Sequence, residues 1–260
     1  MYRKIFLAGA TGAIGSRLVP LLLDAGYEVF GTTRSKTKAA ALQALAVTPV
    51  VIDVFDAAAL SRAIAAIRPE IVVHQLTDLP AALEASDMAE GVARTTRIRI
   101  EGTRNLVTAA LESGVRRLIA QSLACWVYAD GPQPYSENDP LDLRSDGPYA
   151  IVVEGVVVLE RLTTGSPPLE GVVLRYGQLY GPGTGFDEVN GWAPLHVDAA
   201  AHAALLAIEG AKPGIFNIAE DTGYVSIAKA RRELGWDPGF RLRNRETTGA
   251  LSTTHRSQSG

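Results

Sequence analysis

The sequence predicts an α/β protein, a parallel sheet wound in two directions and covered by helices on both faces. Three observations carry that expectation. The chain opens on an apolar run that ends in three glycines at a spacing of three. Strand-like runs then alternate with helix-like stretches as far as Arg175, and most of these strands are apolar throughout rather than at every second residue. Near-continuous apolar strands alternating with helices are those of a sheet buried on both sides.

Ile5–Gly9 is the first strand, and Gly9-x-x-Gly12-x-x-Gly15 carries it through a tight turn into a helix, Ser16–Ala25. Gly9 can take the turn, Gly12 lets a phosphate approach the backbone, and Gly15 lets the helix pack close to the strand. The free N–H groups and positive dipole end of that helix suit a pyrophosphate. Glu28–Thr32 follows and completes the strand–helix–strand unit that a Rossmann dinucleotide site requires. Gly9, Thr11, Gly12, Ala13, Ile14 and Gly15 are therefore candidate cofactor contacts.

The second strand runs into Thr32-Thr33-Arg34-Ser35-Lys36, which lacks the carboxylate that would accept hydrogen bonds from ribose hydroxyls. Arg34 can hold a ribose 2′-phosphate by a charge-assisted fork, helped by Lys36 and the hydroxyls of Thr33 and Ser35. The expected cofactor is NADP, with NAD as the alternative.

The remaining elements read in order as Lys38–Leu45, Thr48–Ile52, Ala57–Ile67, Ile71–His74, Arg97–Ser113, Arg117–Gln121, Tyr149–Leu162 and Val172–Arg175. The proline-rich stretch from 131 to 148 reads as a loop. Residues 1–180 form the expected Rossmann domain, 181–246 a small C-terminal substrate lobe, and 247–260 a polar tail outside the fold.

With 260 residues, 47% of them hydrophobic, and a net charge of −3, the chain can bury one large core. Without a lysine or arginine cluster, neither nucleic acid nor an anionic membrane surface is expected as the main partner. The single cysteine, Cys125, excludes an internal disulfide and fits a reducing compartment. No apolar run is long enough to span a bilayer, and none reads as a signal peptide, so the expected location is the cytoplasm. Four histidines without Cys/His/Asp spacing give no metal site.

Several motifs beyond the glycine turn resemble the extended short-chain dehydrogenase/reductase family, the NAD(P)-dependent epimerases and dehydratases. They are Asp53-Val54, Val72-Val73-His74, Gly102-Thr103-Arg104-Asn105-Leu106, Gly114-Val115-Arg116-Arg117, Tyr180-Gly181-Pro182-Gly183, His196-Val197-Asp198 and Glu233-Leu234-Gly235-Trp236. The resemblance implies that Asp53 and Val54 lie by the adenine and that Gln75 and Leu76 run along the cofactor. It also implies that Ser122, Tyr149 and Tyr176 approach the nicotinamide end. It further implies a homodimer through the helices 97–113 and 149–162, the second of which is apolar around most of its circumference.

The family's catalytic pattern is a Ser or Thr followed by Tyr-x-x-x-Lys, and here Ala124 takes the hydroxyl position, Val153 the lysine position, and only Tyr149 remains. An unassisted tyrosine is about a thousandth ionised at neutral pH, so it makes a poor base. Tyr149 as a neutral proton donor and Arg99, which replaces the family's asparagine, are the candidate catalytic residues. Cys125 reads as a small buried hydrophobe, and Ser122 as a structural hydroxyl as well as a cofactor neighbour.

The stretches 183–196 and 217–234 are too short for the family's usual substrate lobe. The abrupt joins at 187–192 and 221–226 read as places where lobe residues are missing, with a pared-down lobe as the alternative. The expected function is an NADP-dependent oxidoreductase or epimerase-like enzyme acting on a hydroxyl or carbonyl of a small, sugar-like substrate. The alternative is an NADP-binding sensor or scaffold without turnover.

Overall fold

The computed structural model describes residues 3–80, 85–144, 146, 147 and 149–243; the polar tail lies outside them. Seven strands form one parallel sheet in the order β3-β2-β1-β4-β5-β6-β9. They are β1 (Lys4–Ala8), β2 (Glu28–Thr33), β3 (Thr48–Val51), β4 (Ile71–His74), β5 (Arg117–Leu123), β6 (Glu170–Tyr176) and β9 (Gly214–Ile218). A two-stranded parallel pair, β7 (Gln178–Tyr180) and β8 (Pro194–His196), lies beyond β6 in the chain. The helices are α1 (Ala13–Asp24), α2 (Lys36–Ala44), α3 (Ala57–Ile67), α4 (Ala85–Arg97), α5 (Thr103–Glu112), α6 (Ala150–Thr164), α7 (Val197–Gly210) and α8 (Ala228–Leu234).

Alternation along β1 divides the core in two. Ile5 and Leu7 pack with Leu18 and Leu22 of α1, while Phe6 packs with Leu60 and Ile64 of α3 and Leu106 of α5. Every one of these side chains is fully buried, as the apolar character of the strands demands.

Two expectations about elements change. The single helix expected over 97–113 is a π-helical turn at Ile98–Gly102 and then α5, following directly on α4, which ends at Arg97. Gly102 fits there because a Cβ would lie 3.2 Å from a Val54 methyl. The described part of the stretch expected as a lobe, 181–243, also joins the sheet. It supplies β9, which pairs with β6 from Val172↔Gly214 to Tyr176↔Ile218, and α7, whose alanine-rich surface packs against α1. At the short joins the Trp192 N–H donates to Gln178 Oε1 at 2.7 Å, and the Thr222 hydroxyl donates to the Trp192 carbonyl.

Candidate active site

The strand order turns back between β1 and β4, and the crevice outside their C-terminal ends is where open α/β sheets take their ligands. Gly9 leaves β1 with φ +93°, and a Cβ there would sit 2.7 Å from the Gln75 carbonyl oxygen across the crevice. A Cβ on Gly15 would collide with the Gly9 carbonyl oxygen. The fold itself asks for no glycine at 12, where φ is −80° and a Cβ would meet only Gly9 O at 3.4 Å. The bare position instead leaves the turn open.

Gly12 caps α1 with no side-chain hydrogen bond, so the helix's first N–H groups face the turn unclaimed by any cap. Ile14 is buried in the core, which leaves only its backbone to meet a ligand, as for Ala13 beside it. Thr11 lies in the turn itself.

Across the crevice, His74 ends β4. Its Nδ1 accepts from the Leu76 N–H at 3.2 Å, so the proton sits on Nε2, 3.2 Å from the Thr103 hydroxyl. Burial, and then the Arg99 charge, lower its pKa to about 4. Gln75 is buried; its Nε2 donates to the Tyr176 hydroxyl at 3.4 Å, while its Oε1 has no partner among the described residues. An orphaned buried acceptor at the crevice, an open glycine turn and an uncapped helix start together fit a dinucleotide.

Farther out, Asp53 is exposed and its carboxylate accepts from the Phe55 N–H at 3.0 Å. The Val54 carbonyl accepts from Asn105 Nδ2 at 2.9 Å. Arg34 is pinned from the side: its guanidinium lies 3.2 Å from Asp78, which Arg94 also approaches at 3.4 Å. The Ser35 hydroxyl caps α2 by accepting from the Lys38 N–H, and the Thr33 hydroxyl accepts from the Ser35 N–H. Lys36 opens α2 and is exposed.

The other half of the crevice differs in kind. Ala124 and Val153, which stand where the hydroxyl and the lysine were sought, are both buried in the apolar core with Cys125 and Val127. Tyr149 is 46% exposed and lies parallel to Trp126, with 2° between the rings and 5.9 Å between their centroids. Burial pushes the Cys125 thiol up to about 12, which keeps it protonated and unreactive.

Ser122 is fully buried, and its hydroxyl donates to Glu160 at 2.8 Å, so it takes part in the framework. Glu160 in turn accepts two bonds from Arg175, at 2.8 and 2.7 Å. Arg175 also reaches the Tyr128 hydroxyl, which donates to Asn217 at 2.6 Å. This buried network, spread over β5, α6, β6, β9 and the loop after β5, left no signal in sequence spacing. It anchors the loop that carries Trp126.

Arg99 enters from the π turn, alongside Gly155 of α6. It is 5% exposed, and no hydrogen bond closes on its guanidinium among the described residues. Burial lowers its pKa to about 10 against the opposing pull of Glu160, so it remains a cation at neutral pH. No group of three or more potential metal ligands occurs among the described residues.

The model of the NAD dependent epimerase/dehydratase family matches residues 5–210. A 3-diazoavenalumate denitrifying reductase from a Streptomyces species is 40% identical over 238 residues, covering 84% of this chain and 76% of that protein. A decarboxylating sterol-4-alpha-carboxylate 3-dehydrogenase from Dictyostelium discoideum is 28% identical over 56% of this chain and 41% of its own length. Among solved structures, a UDP-glucose 4-epimerase of Thermotoga maritima with UDP-glucose superposes with a TM-score of 0.71 at 21% identity, covering 92% of this chain and 94% of the other. The WbmG enzyme of Bordetella bronchiseptica in complex with NAD gives 0.69 at 20% identity, over 93% and 91%. At these identities the structural likeness speaks for the fold alone.

Proposed function

This chain belongs to the NAD dependent epimerase/dehydratase family, whose named relatives here are reductases, dehydrogenases and epimerases, and on that premise we propose that it is an NADP-dependent reductase working without a tyrosine–lysine proton relay. The observation that carries the reading is the apolar burial of Ala124 and Val153 at the two relay positions. A carbonyl taking up a hydride becomes an alkoxide and needs a proton at once, and neither position can supply or support one. An acceptor that is already cationic, or that ejects a neutral leaving group, needs none.

The Streptomyces relative is named for such an acceptor, a diazo compound that it denitrifies. NADPH held there would supply the hydride, and for a diazonium Ar–N₂⁺ plus H⁻ gives Ar–H plus N₂, with no proton consumed. The chain's own part is to hold and orient. The α1 N-terminus and the turn from Gly9 to Gly12 would hold the pyrophosphate, Asp53 and Val54 the adenine end, and Gln75, Leu76 and Tyr176 the nicotinamide end. Arg34 and Lys36 favour the 2′-phosphate once Arg34 exchanges Asp78 for it.

The outer face of α6, with Ile151 exposed and Val158 partly so, supports a homodimer with a second copy of this chain, which light scattering at micromolar concentration tests. A lone buried cysteine supports a cytoplasmic location. No helix among the described residues is long and apolar enough to cross a membrane.

The deciding experiment follows NADPH oxidation by the full chain with an aryl diazo acid and a panel of aldehydes and ketones, and separates the sugar nucleotides after incubation with UDP-glucose. Turnover with the diazo acid and at least a hundredfold less with carbonyls is the expected outcome. Comparable carbonyl reduction, epimerisation of UDP-glucose, or NADP binding with no turnover at all overturns the reading, the last in favour of a sensor.

A further inference from the structure

The wall of the crevice that lacks a relay is built of aromatic rings. Tyr149 and Trp126 lie parallel, and Trp192 sits 5.8 Å from Tyr224. The Tyr224 hydroxyl faces the backbone of Trp126, which brings the two ring pairs together. Behind them Tyr135 meets Tyr224 edge-on at 5.6 Å and stacks on Tyr128 at 4.8 Å. Six rings from four separate segments are thus contiguous.

These rings are not simply core. Trp192 is 60% exposed and Tyr149 46%, although a soluble protein seldom exposes clustered aromatics without a use for them. Trp126 is held at φ +62°, a conformation rare for a bulky residue, with Tyr149 laid against its ring. The cluster also lies at the ligand-binding edge of the sheet. The Ala124 N–H donates to the Tyr176 carbonyl at the end of β6, and Tyr176 in turn holds Gln75 at the end of β4. Gln178, two residues past Tyr176, holds the Trp192 backbone. The rings therefore stand one contact beyond the residues that fit the nicotinamide end.

We infer that this wall binds the ring of a planar, electron-poor aryl substrate, with Trp126, Tyr149 and Trp192 as specificity-determining residues. Indole and phenol rings present a negative face, which prefers a flat, electron-poor partner over a saturated one. Asp187 and Glu188, on the loop that leads to Trp192, reinforce that sign. A sugar ring would want hydrogen-bonding side chains at its edge, and this wall offers rings instead. The inference rests on the reductase reading for the role of the bound molecule, but its test does not depend on turnover.

The test is calorimetric titration of the full chain, with NADP⁺ present, using 4-nitrobenzamide as the flat probe and cyclohexanecarboxamide as its saturated counterpart. The aryl probe should bind at least tenfold tighter, and Trp192→Leu and Tyr149→Leu should each weaken it about tenfold, the scale of ring stacking on aromatic side chains. Trp192→Leu should leave NADP⁺ affinity and the melting temperature unchanged, which separates a lost contact from a lost fold. Equal affinity for the two probes, or an unchanged aryl affinity in Trp192→Leu, overturns the inference. Aryl binding by a chain that reduces nothing keeps the inference and sinks the reductase; equal turnover of aryl and alkyl diazo acids does the reverse.

Discussion

The two walls of the crevice follow opposite rules. On the β1–β4 side the work is done by backbone: bare glycines, an uncapped helix start and carbonyls, with side chains mostly turned away into the core. On the β5–β6 side the work is done by side chains, and those have been exchanged for alanine, valine and aromatic rings. A backbone site tolerates little change, because any Cβ at Gly9 or Gly15 strikes a carbonyl. A side-chain site can be rebuilt one residue at a time on an unchanged frame.

The largest effect expected concerns that frame. Glu160 and Arg175 are buried together, and Glu160→Leu leaves the Arg175 guanidinium uncompensated beside Tyr128. Breaking a buried pair from one side costs about 3–5 kcal/mol, and urea unfolding should register it. If the two walls are as separate as their chemistry suggests, the variant that still folds should lose aryl binding before it loses NADP binding, since the network holds the Trp126 loop. Equal losses at both walls would break the comparison.

His74 stands at the seam, with Arg99 and Thr103 facing it. Its folded pKa, about 4, lies below the ordinary histidine value of 6.5, so between these values the unfolded chain takes up a proton that the native state refuses. Stability is therefore full above about pH 6.5 and falls as the pH drops toward 4, by about 3 kcal/mol over that interval. Denaturation midpoints at pH 7 and pH 5 should differ in wild type and converge in His74→Gln. A flat wild-type profile would show that His74 titrates freely.

Cofactor choice sharpens the backbone wall, because it is the one feature there set by side chains. Arg34→Ala should cost about 1.5–3 kcal/mol of NADP affinity, as for a lost hydrogen bond to a charged group, and leave NAD nearly unchanged. Asp78→Asn should move NADP the other way by a smaller amount, since it frees Arg34 from its ion pair. Calorimetry giving equal losses for NADP and NAD in Arg34→Ala would remove the 2′-phosphate assignment.

The same division explains what the sequence disclosed. The glycine turn, the first six strands of the sheet and α3 are legible because local chemistry dictates them: positive φ, continuous apolar runs, a capping aspartate at Asp56. β9 is five residues in which periodicity cannot register, although Pro213-Gly214 opens it, and α7 is buried nearly all round, so neither announces its place by periodicity. The bonds of the Ser122–Glu160–Arg175 network join residues 15 and 38 apart, and only packing reveals it. Ala124 and Val153 could be read as losses from the chain alone, whereas the rings around them come from four distant segments.

The smallest expected effect separates two roles for Tyr149. As a neutral phenol donating a proton, it would lose that function in Tyr149→Phe, and turnover would fall by about a hundredfold or more. As a ring laid against Trp126, it would lose almost nothing, because phenylalanine keeps the face and the stacking geometry. Its hydroxyl forms no hydrogen bond among the described residues, and its neighbours at the relay positions, Ala124 and Val153, offer no partner through which a proton could be replaced. Tyr149→Phe should therefore keep kcat with a diazo acceptor within about threefold, and Tyr149→Leu should raise KM about tenfold at little cost in kcat. A hundredfold drop in kcat for Tyr149→Phe would return the tyrosine to acid catalysis, and the side-chain wall would then retain one working member of the family's relay.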